Sequence, residues 1–203
     1  MCDLCPRLVA FRRQNKQLFP TFFNAPVPSF GDKNAQLLIV GLAPGLKGAN
    51  CTGRPFTGDY AGILLYNTLD KFGFTQGTYQ ARTDDGFRLV NARITNAVRC
   101  VPPENKVTGA EIKTCNPFLK AEIDALPNLR VIIALGSVAH QAVFRAFHVA
   151  EKDHRFAHGA KYTLPCGITL IDSYHCSRYN TSTKRLTEKI FEDVFAQAQA
   201  CLL

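Results

Sequence analysis

The sequence predicts an α/β protein whose largely parallel sheet is covered by helices on both faces. Three observations carry this. Continuous apolar runs, QLLIVG at 36–41 and RVIIALG at 130–136, end at glycine, as strands buried on both faces do. Each run is followed by apolar residues at helical intervals. The alternation then repeats along the chain, which is how strand–helix units feed a parallel sheet.

Taken in order, residues 6–18 (PRLVAFRRQNKQL) are basic and amphipathic, and a helix is predicted to start at Pro6, where proline's missing N–H costs nothing. A Phe/Pro-rich connection spans 19–30. The first buried strand covers 36–41, and the stretch Gly41 to Asp59 after it is expected to stay irregular. The segment 59–72 places Ile63, Leu64, Tyr66, Leu69 and Phe72 at helical spacing, with Thr57 or Asp59 able to cap it. A strand is predicted near 92–97, a helix over 109–125, and the second buried strand at 130–136. A helix follows at 137–148 with Ser137 as its cap. The last strand is placed at 168–175 and the closing helix at 183–201. No internal repeat or low-complexity tract interrupts this, and the 203 residues suit one domain with an N-terminal segment, 1–30.

Composition narrows the partners. Lys and Arg exceed Asp and Glu by 24 to 16, a net charge of +8 that favours a polyanion such as nucleic acid. No apolar run approaches the roughly 20 residues of a membrane span. With no charged-then-apolar opening either, the expected place is the cytoplasm; a monomer is the default expectation, since the sequence carries no signal for oligomeric state. Eight cysteines without a secretion signal point to metal binding or catalysis rather than disulfides. Cys2 and Cys5 form C-x2-C, and Cys100 and Cys115 a wider pair. Four thiolates suit Zn2+ or an iron–sulfur cluster, and spacing alone does not choose between them.

In a parallel sheet, ligands gather beyond the carboxyl ends of the strands, where three unusual loops should converge. The first, GLAPGLKGANCTGRPFTGD, lacks both the P-loop and the dinucleotide glycine patterns, but sets Phe56 near Asp59, a ring beside an acid at a helix start. The second, ITNAVRCVPPENK, places Asn96 at a strand end, where an amide can both donate to and accept from a base edge. The third, SYHCSRYNTSTKR, opens on His175 and continues through Ser177, Arg178, Tyr179, Asn180, Lys184 and Arg185, a mixture suited to gripping phosphates. His140, His148, His154 and His158 are read as structural.

Together, in this order, the three loops and four cysteines resemble the uracil-DNA glycosylase superfamily, specifically its family 5 of B-type enzymes, over nearly the whole chain. The resemblance implies a three-layer α/β/α fold and a [4Fe-4S] cluster on Cys2, Cys5, Cys100 and Cys115. It also implies hydrolysis of the N-glycosidic bond of uracil, and of some other deaminated bases, flipped out of DNA. A non-catalytic iron–sulfur protein that recognises damaged DNA is the alternative. Asp59 is carried over as the acid that positions water, His175 as the donor to uracil O2, and Asn96 as the reader of the base edge. Phe56, Gly41, Ala43 and Gly45 are expected around the base, the glycines letting backbone amides approach closely. Ser177, Arg178, Tyr179, Asn180 and Lys184 are expected on DNA, with Arg178 or Tyr179 filling the gap left by the base. The chain departs from the family at Cys51, Leu46, Lys47, Cys176 and Tyr179, all outside the acid, amide and imidazole.

Overall fold

A computed structural model describes residues 2–203. Its strands are β1 (Phe30–Gly31), β2 (Leu37–Gly41), β3 (Thr75–Gln76), β4 (Arg88–Leu89), β5 (Ala92–Asn96), β6 (Val131–Leu135), β7 (Lys161–Thr163) and β8 (Thr169–Ser173). Its α-helices are α1 (Pro6–Leu18), α2 (Ala49–Thr52), α3 (Tyr60–Lys71), α4 (Gly109–Asp124), α5 (Ser137–Ala146), α6 (Arg178–Ser182) and α7 (Glu188–Ala200). The sheet runs in the order β1-β5-β2-β6-β8-β7. Its four central strands are mutually parallel, and β1 and β7 close the edges antiparallel.

The apolar runs dictate this arrangement. Every residue of β2 and of β6 is buried, and alternate side chains serve opposite layers. Leu37 and Ile39 pack with Leu65 and Leu69 of α3 and Phe191 and Phe195 of α7. Leu38 and Val40 pack with Leu8 of α1, Leu119 of α4 and Val143 of α5. The result is three layers, α/β/α. The chain leaves β2 for β5 on one side and then crosses to β6 on the other, so β2 is where the strand order reverses, and the cavity of a doubly wound sheet lies beyond its carboxyl end.

Several boundaries differ from expectation for local reasons. Ser137 is the first helical residue rather than the cap; Gly136, at φ +98°, turns the strand directly into α5. The last strand ends at Ser173, two residues before His175. The closing helix starts only at Glu188, where Thr187 accepts a hydrogen bond from the Ile190 amide, and residues 178–182 form the separate α6. The segment from Gly41 to Asp59 is not wholly irregular, since it contains the single turn α2. The short antiparallel pairs β1, β3–β4 and β7 carry too few residues to show a period of two.

Helix α4 carries a full capping box: Thr108 Oγ1 accepts from the Glu111 amide at 3.2 Å, and Glu111 Oε2 accepts from the Thr108 amide at 2.8 Å. Glu111 also takes both arms of Arg7, each at 2.8 Å, which ties α1 to α4. Thr108→Ala is expected to lower stability by about 1 kcal/mol, read as a shift in the urea midpoint with unchanged slope.

Candidate active site

A cavity of about 380 Å³ opens beyond the carboxyl ends of the central strands, and all three unusual loops reach it. Ala43, Gly45, Phe56 and Asp59 come from the segment after β2, Asn96 from the end of β5, and His175 and Ser177 from the segment after β8. The acid, the amide and the imidazole, 116 residues apart at the extremes (175 − 59), therefore share one chamber.

Each of the three is held differently. Asp59 caps α3: its Oδ1 accepts the Gly62 amide at 3.0 Å. Burial pushes its carboxyl above the ordinary value, while the amides of Gly62 and Ala61 pull it back toward the charged form. Asn96 is 5% exposed, and its amide makes no hydrogen bond within the described residues, so donor and acceptor both remain for a ligand. His175 is pushed down to about 4 by burial alone, which makes it a neutral imidazole at pH 7. Its ring lies 5.9 Å from that of Phe56 at an interplanar angle of 26°.

Two glycines serve these side chains by leaving room. A Cβ on Gly48 would stand 2.4 Å from Asp59 Oδ2. One on Gly41 would stand 2.4 Å from Asn96 Oδ1 and 2.7 Å from Phe56 Cζ. Gly41 thus lies behind the cavity wall and does not line it, whereas Ala43 and Gly45 do. Its purpose is space for the amide and the ring, not approach of its own backbone to a base.

Phe56 itself sits at φ +51°, a left-handed conformation costing a bulky residue of order 1–2 kcal/mol. The segment around it is clamped. Arg54 Nε donates to Thr57 Oγ1 at 2.8 Å, and its two terminal nitrogens donate to the two Asp85 oxygens, each at 2.8 Å. Tyr66 donates its hydroxyl to Pro55 O at 2.6 Å. The guanidinium is surrounded by the rings of Phe30, Tyr66, Tyr79 and Phe87, all within 5.9 Å of its carbon.

The third loop divides into inward and outward groups. Asn180 turns inward, its Nδ2 donating to the His175 carbonyl at 2.8 Å, and Ser177 caps α6 while lining the cavity. The Cys176 thiol donates to Ala61 O at 3.4 Å, joining this loop to the first turn of α3. Arg178, Tyr179 and Lys184 face solvent; Tyr179 is 72% exposed and the Arg178 guanidinium stacks 5.2 Å from the Tyr60 ring. Asn105, absent from the sequence-based set, also lines the cavity. It and Glu104 are both left-handed, at φ +56° and +54°, and the signal for such a turn was the Pro-Pro-Glu-Asn run itself.

The four paired cysteines Cys2, Cys5, Cys100 and Cys115 line one small pocket between α1 and α4. Burial is the largest influence on the Cys5, Cys100 and Cys115 thiols and raises all three, with Cys100 pushed up to about 11. Beside them lies Arg12, 4% exposed, whose Nη1 is 3.2 Å from Cys100 Sγ. Its Nη2 donates to Cys2 O, and its Nε has no partner. Among the described residues, no three His, Cys, Asp or Glu side chains are set to hold a metal ion.

The fold and this cavity define a class of α/β proteins that the comparisons then specify. Residues 28–199 match the Uracil DNA glycosylase superfamily, and the chain belongs to that family. More narrowly it sits among the type-5 proteins: it is 44% identical to the Type-5 uracil-DNA glycosylase of Thermus thermophilus, covering 98% of this chain and 92% of that one. It is 36% identical to the one from Pyrobaculum aerophilum, covering 98% and 88%. In three dimensions the chain resembles wild-type SMUG2 of Pedobacter heparinus, with a TM-score of 0.51 at 13% identity over 83% of this chain and 76% of that one, a likeness of fold.

Removing one member of a buried, bidentate ion pair leaves the other uncompensated. Arg54→Met is accordingly expected to destabilise the protein by about 3–5 kcal/mol in denaturant unfolding, and Asp85→Asn to follow it in direction.

Proposed function

We propose that this chain hydrolyses the N-glycosidic bond of uracil in DNA and leaves an abasic site. The observation that carries the reading is the meeting of Asp59, Asn96 and His175 around one cavity. The size of that cavity falls in the range of small-molecule sites, roughly 300–1,000 Å³. A base inside a duplex cannot reach it, so uracil must be rotated out, at a cost of a few kcal/mol that is least for a mismatched pair.

In the cavity, Phe56 stacks on the extruded base and the unpartnered amide of Asn96 pairs with its polar edge. Cleavage leaves positive charge on the sugar and negative charge on uracil O2. His175, held neutral, donates an N–H toward O2, an interaction stronger in the transition state than in the ground state. Asp59 orients the attacking water and offsets the cationic sugar, as carboxylates do in sugar hydrolysis. Arg178 and Tyr179, exposed beside the cavity, fill the gap in the duplex, and Lys184 and Ser177 contact phosphate. Other deaminated bases are accepted where their edge matches the Asn96 amide. The chain acts as a monomer in the cytoplasm.

Cys2, Cys5, Cys100 and Cys115 are the residues that would hold a [4Fe-4S] cluster. Their chemistry fits: four thiols share one pocket beside Arg12, a buried cation with no carboxylate partner among the described residues, and an anionic thiolate cluster would supply the missing charge. Cys2 and Cys5 precede α1, Cys100 follows β5 and Cys115 lies on α4, so a cluster held by them would tie the N-terminal segment to the β5–α4 region in a structural role. Purified under anaerobic conditions, the protein is expected to be brown with iron and acid-labile sulfide in equal amounts, and Cys100→Ser to lose both. A colourless protein containing zinc would refute the assignment.

On a uracil-containing duplex, alkali should break the strand at the uracil after incubation. Asp59→Asn and His175→Ala are each expected to slow single-turnover excision about 100-fold or more with little change in DNA affinity. Wild-type rates in either variant would remove that residue's role.

A further inference from the structure

We propose that His158 is a positioning residue for the reaction: its Nδ1 accepts the Tyr174 amide proton and thereby fixes where His175 points. The inference rests on the reading of His175 as the donor to uracil O2. Tyr174 and His175 lie beyond the end of β8, so no sheet ladder orders them. Side chains do so instead. The Tyr174 amide donates to His158 Nδ1 at 3.0 Å, Ser173 Oγ donates to the Tyr174 carbonyl at 2.9 Å, and Asn180 Nδ2 donates to the His175 carbonyl at 2.8 Å.

The partners of His158 dictate its tautomer. Its Nε2 lies 3.1 Å from the Ile190 carbonyl of α7, which can only accept, while the Tyr174 amide can only donate. Nε2 therefore carries the proton and Nδ1 is bare. The ring also lies nearly parallel to that of Tyr174, with centroids 5.0 Å apart at 14°, and the Arg185 guanidinium packs on Tyr174 at 4.3 Å. His158 thus ties the residue before His175 to helix α7 through two hydrogen bonds and a stack.

This arrangement depends on pH. Burial lowers the His158 pKa from its ordinary value, against the opposing effects of the hydrogen bond to the Ile190 carbonyl and then of Asp193, both on α7; the Arg185 guanidinium packs on the Tyr174 ring that stacks with the imidazole. A histidine favoured neutral by folding keeps its contribution above the ordinary pKa of about 6.5 and loses it as pH falls through the lower folded value. Protonation would set an N–H at Nδ1 against the Tyr174 N–H, two donors facing each other.

The test compares His158→Phe, which keeps a stacking ring but loses both hydrogen bonds, with His158→Asn, whose Oδ1 can accept from Tyr174 and does not titrate. His158→Phe is expected to slow single-turnover excision roughly 10- to 100-fold with an unchanged DNA dissociation constant. His158→Asn should stay within about fivefold of wild type and show a flatter acid limb between about pH 7 and 5. Wild-type rates in His158→Phe, or an unaltered acid limb in His158→Asn, overturn the proposal. Should His158→Phe not fold, imidazole 15N shifts of the unmodified protein decide, since a protonated Nδ1 above neutral pH also overturns it. His175→Ala separates the two readings: slow excision there with a wild-type His158→Phe sinks this inference alone, whereas a fast His175→Ala sinks the reading beneath it.

Discussion

The interior of this protein contains a guanidinium, and much of the cavity's floor is arranged around that fact. Taking Arg54 and Asp85 out of water costs several kcal/mol per ion, recovered only when geometry is good and every polar atom is used. Here all three guanidinium nitrogens have partners, and the Asp85 carboxylate, besides holding Arg54, accepts the amides of Gln80 and Phe87 at 3.1 and 3.0 Å. Four rings pack against the cation. The hairpin β3–β4 and the excursion between its strands thereby gain a purpose, since that excursion delivers Asp85. What the network fixes is the short segment from Arg54 to Thr57, and through it the left-handed Phe56 ring that meets His175.

A second constraint is space. The carboxylate, the amide and the ring occupy volume that a single methyl group on Gly48 or Gly41 would deny them. A close-packed interior does not yield by an ångström without cost, so the absent side chains are as much a part of the site as the present ones. The same economy explains Asp59. As the N-cap of α3 it satisfies an orphan helix amide, and as a wall of the cavity it presents its other oxygen toward Gly45 and Gly48. One residue serves both the helix and the site.

The main strands and helices, and three of the residues that line the cavity, were legible because their signals are local. Continuous apolar runs marked β2 and β6, a proline marked the start of α1, and apolar residues at helical spacing behind a capping Asp59 marked α3. Asp59, Asn96 and His175 could be singled out because each stands at or just beyond the boundary of a strand or helix. What could not be read was whatever depends on distant partners. Asp85 follows Arg54 by 31 residues in a polar loop with no periodicity, and nothing in that loop announces that its carboxylate is buried. Arg12 reads as one more cation of a basic helix face. His158 looked structural in isolation; its meaning comes from Tyr174 and Ile190, 16 and 32 residues away. Gly41 was flagged for backbone approach, when the reason lies in the side chains of residues 55 and 15 positions further on (96 − 41 and 56 − 41).

The chemistry of the cavity follows from an asymmetry between two titratable groups in the same surroundings. Burial acts on Asp59 and His175 alike and favours the neutral form of each. For Asp59 the amides of Gly62 and Ala61 at the start of α3 oppose that effect in part, and burial still leaves the carboxyl above its ordinary value. For His175 nothing opposes it, because its ring has no hydrogen-bond partner in the described residues and no carboxylate within pairing distance. Environments that treat two groups so differently separate their roles. On the proposed reading of the site, a neutral imidazole keeps an N–H for the departing base while the Asp59 carboxylate faces the sugar cation, so that one cavity would stabilise negative and positive charge at its two ends, as heterolysis of an N-glycosidic bond demands.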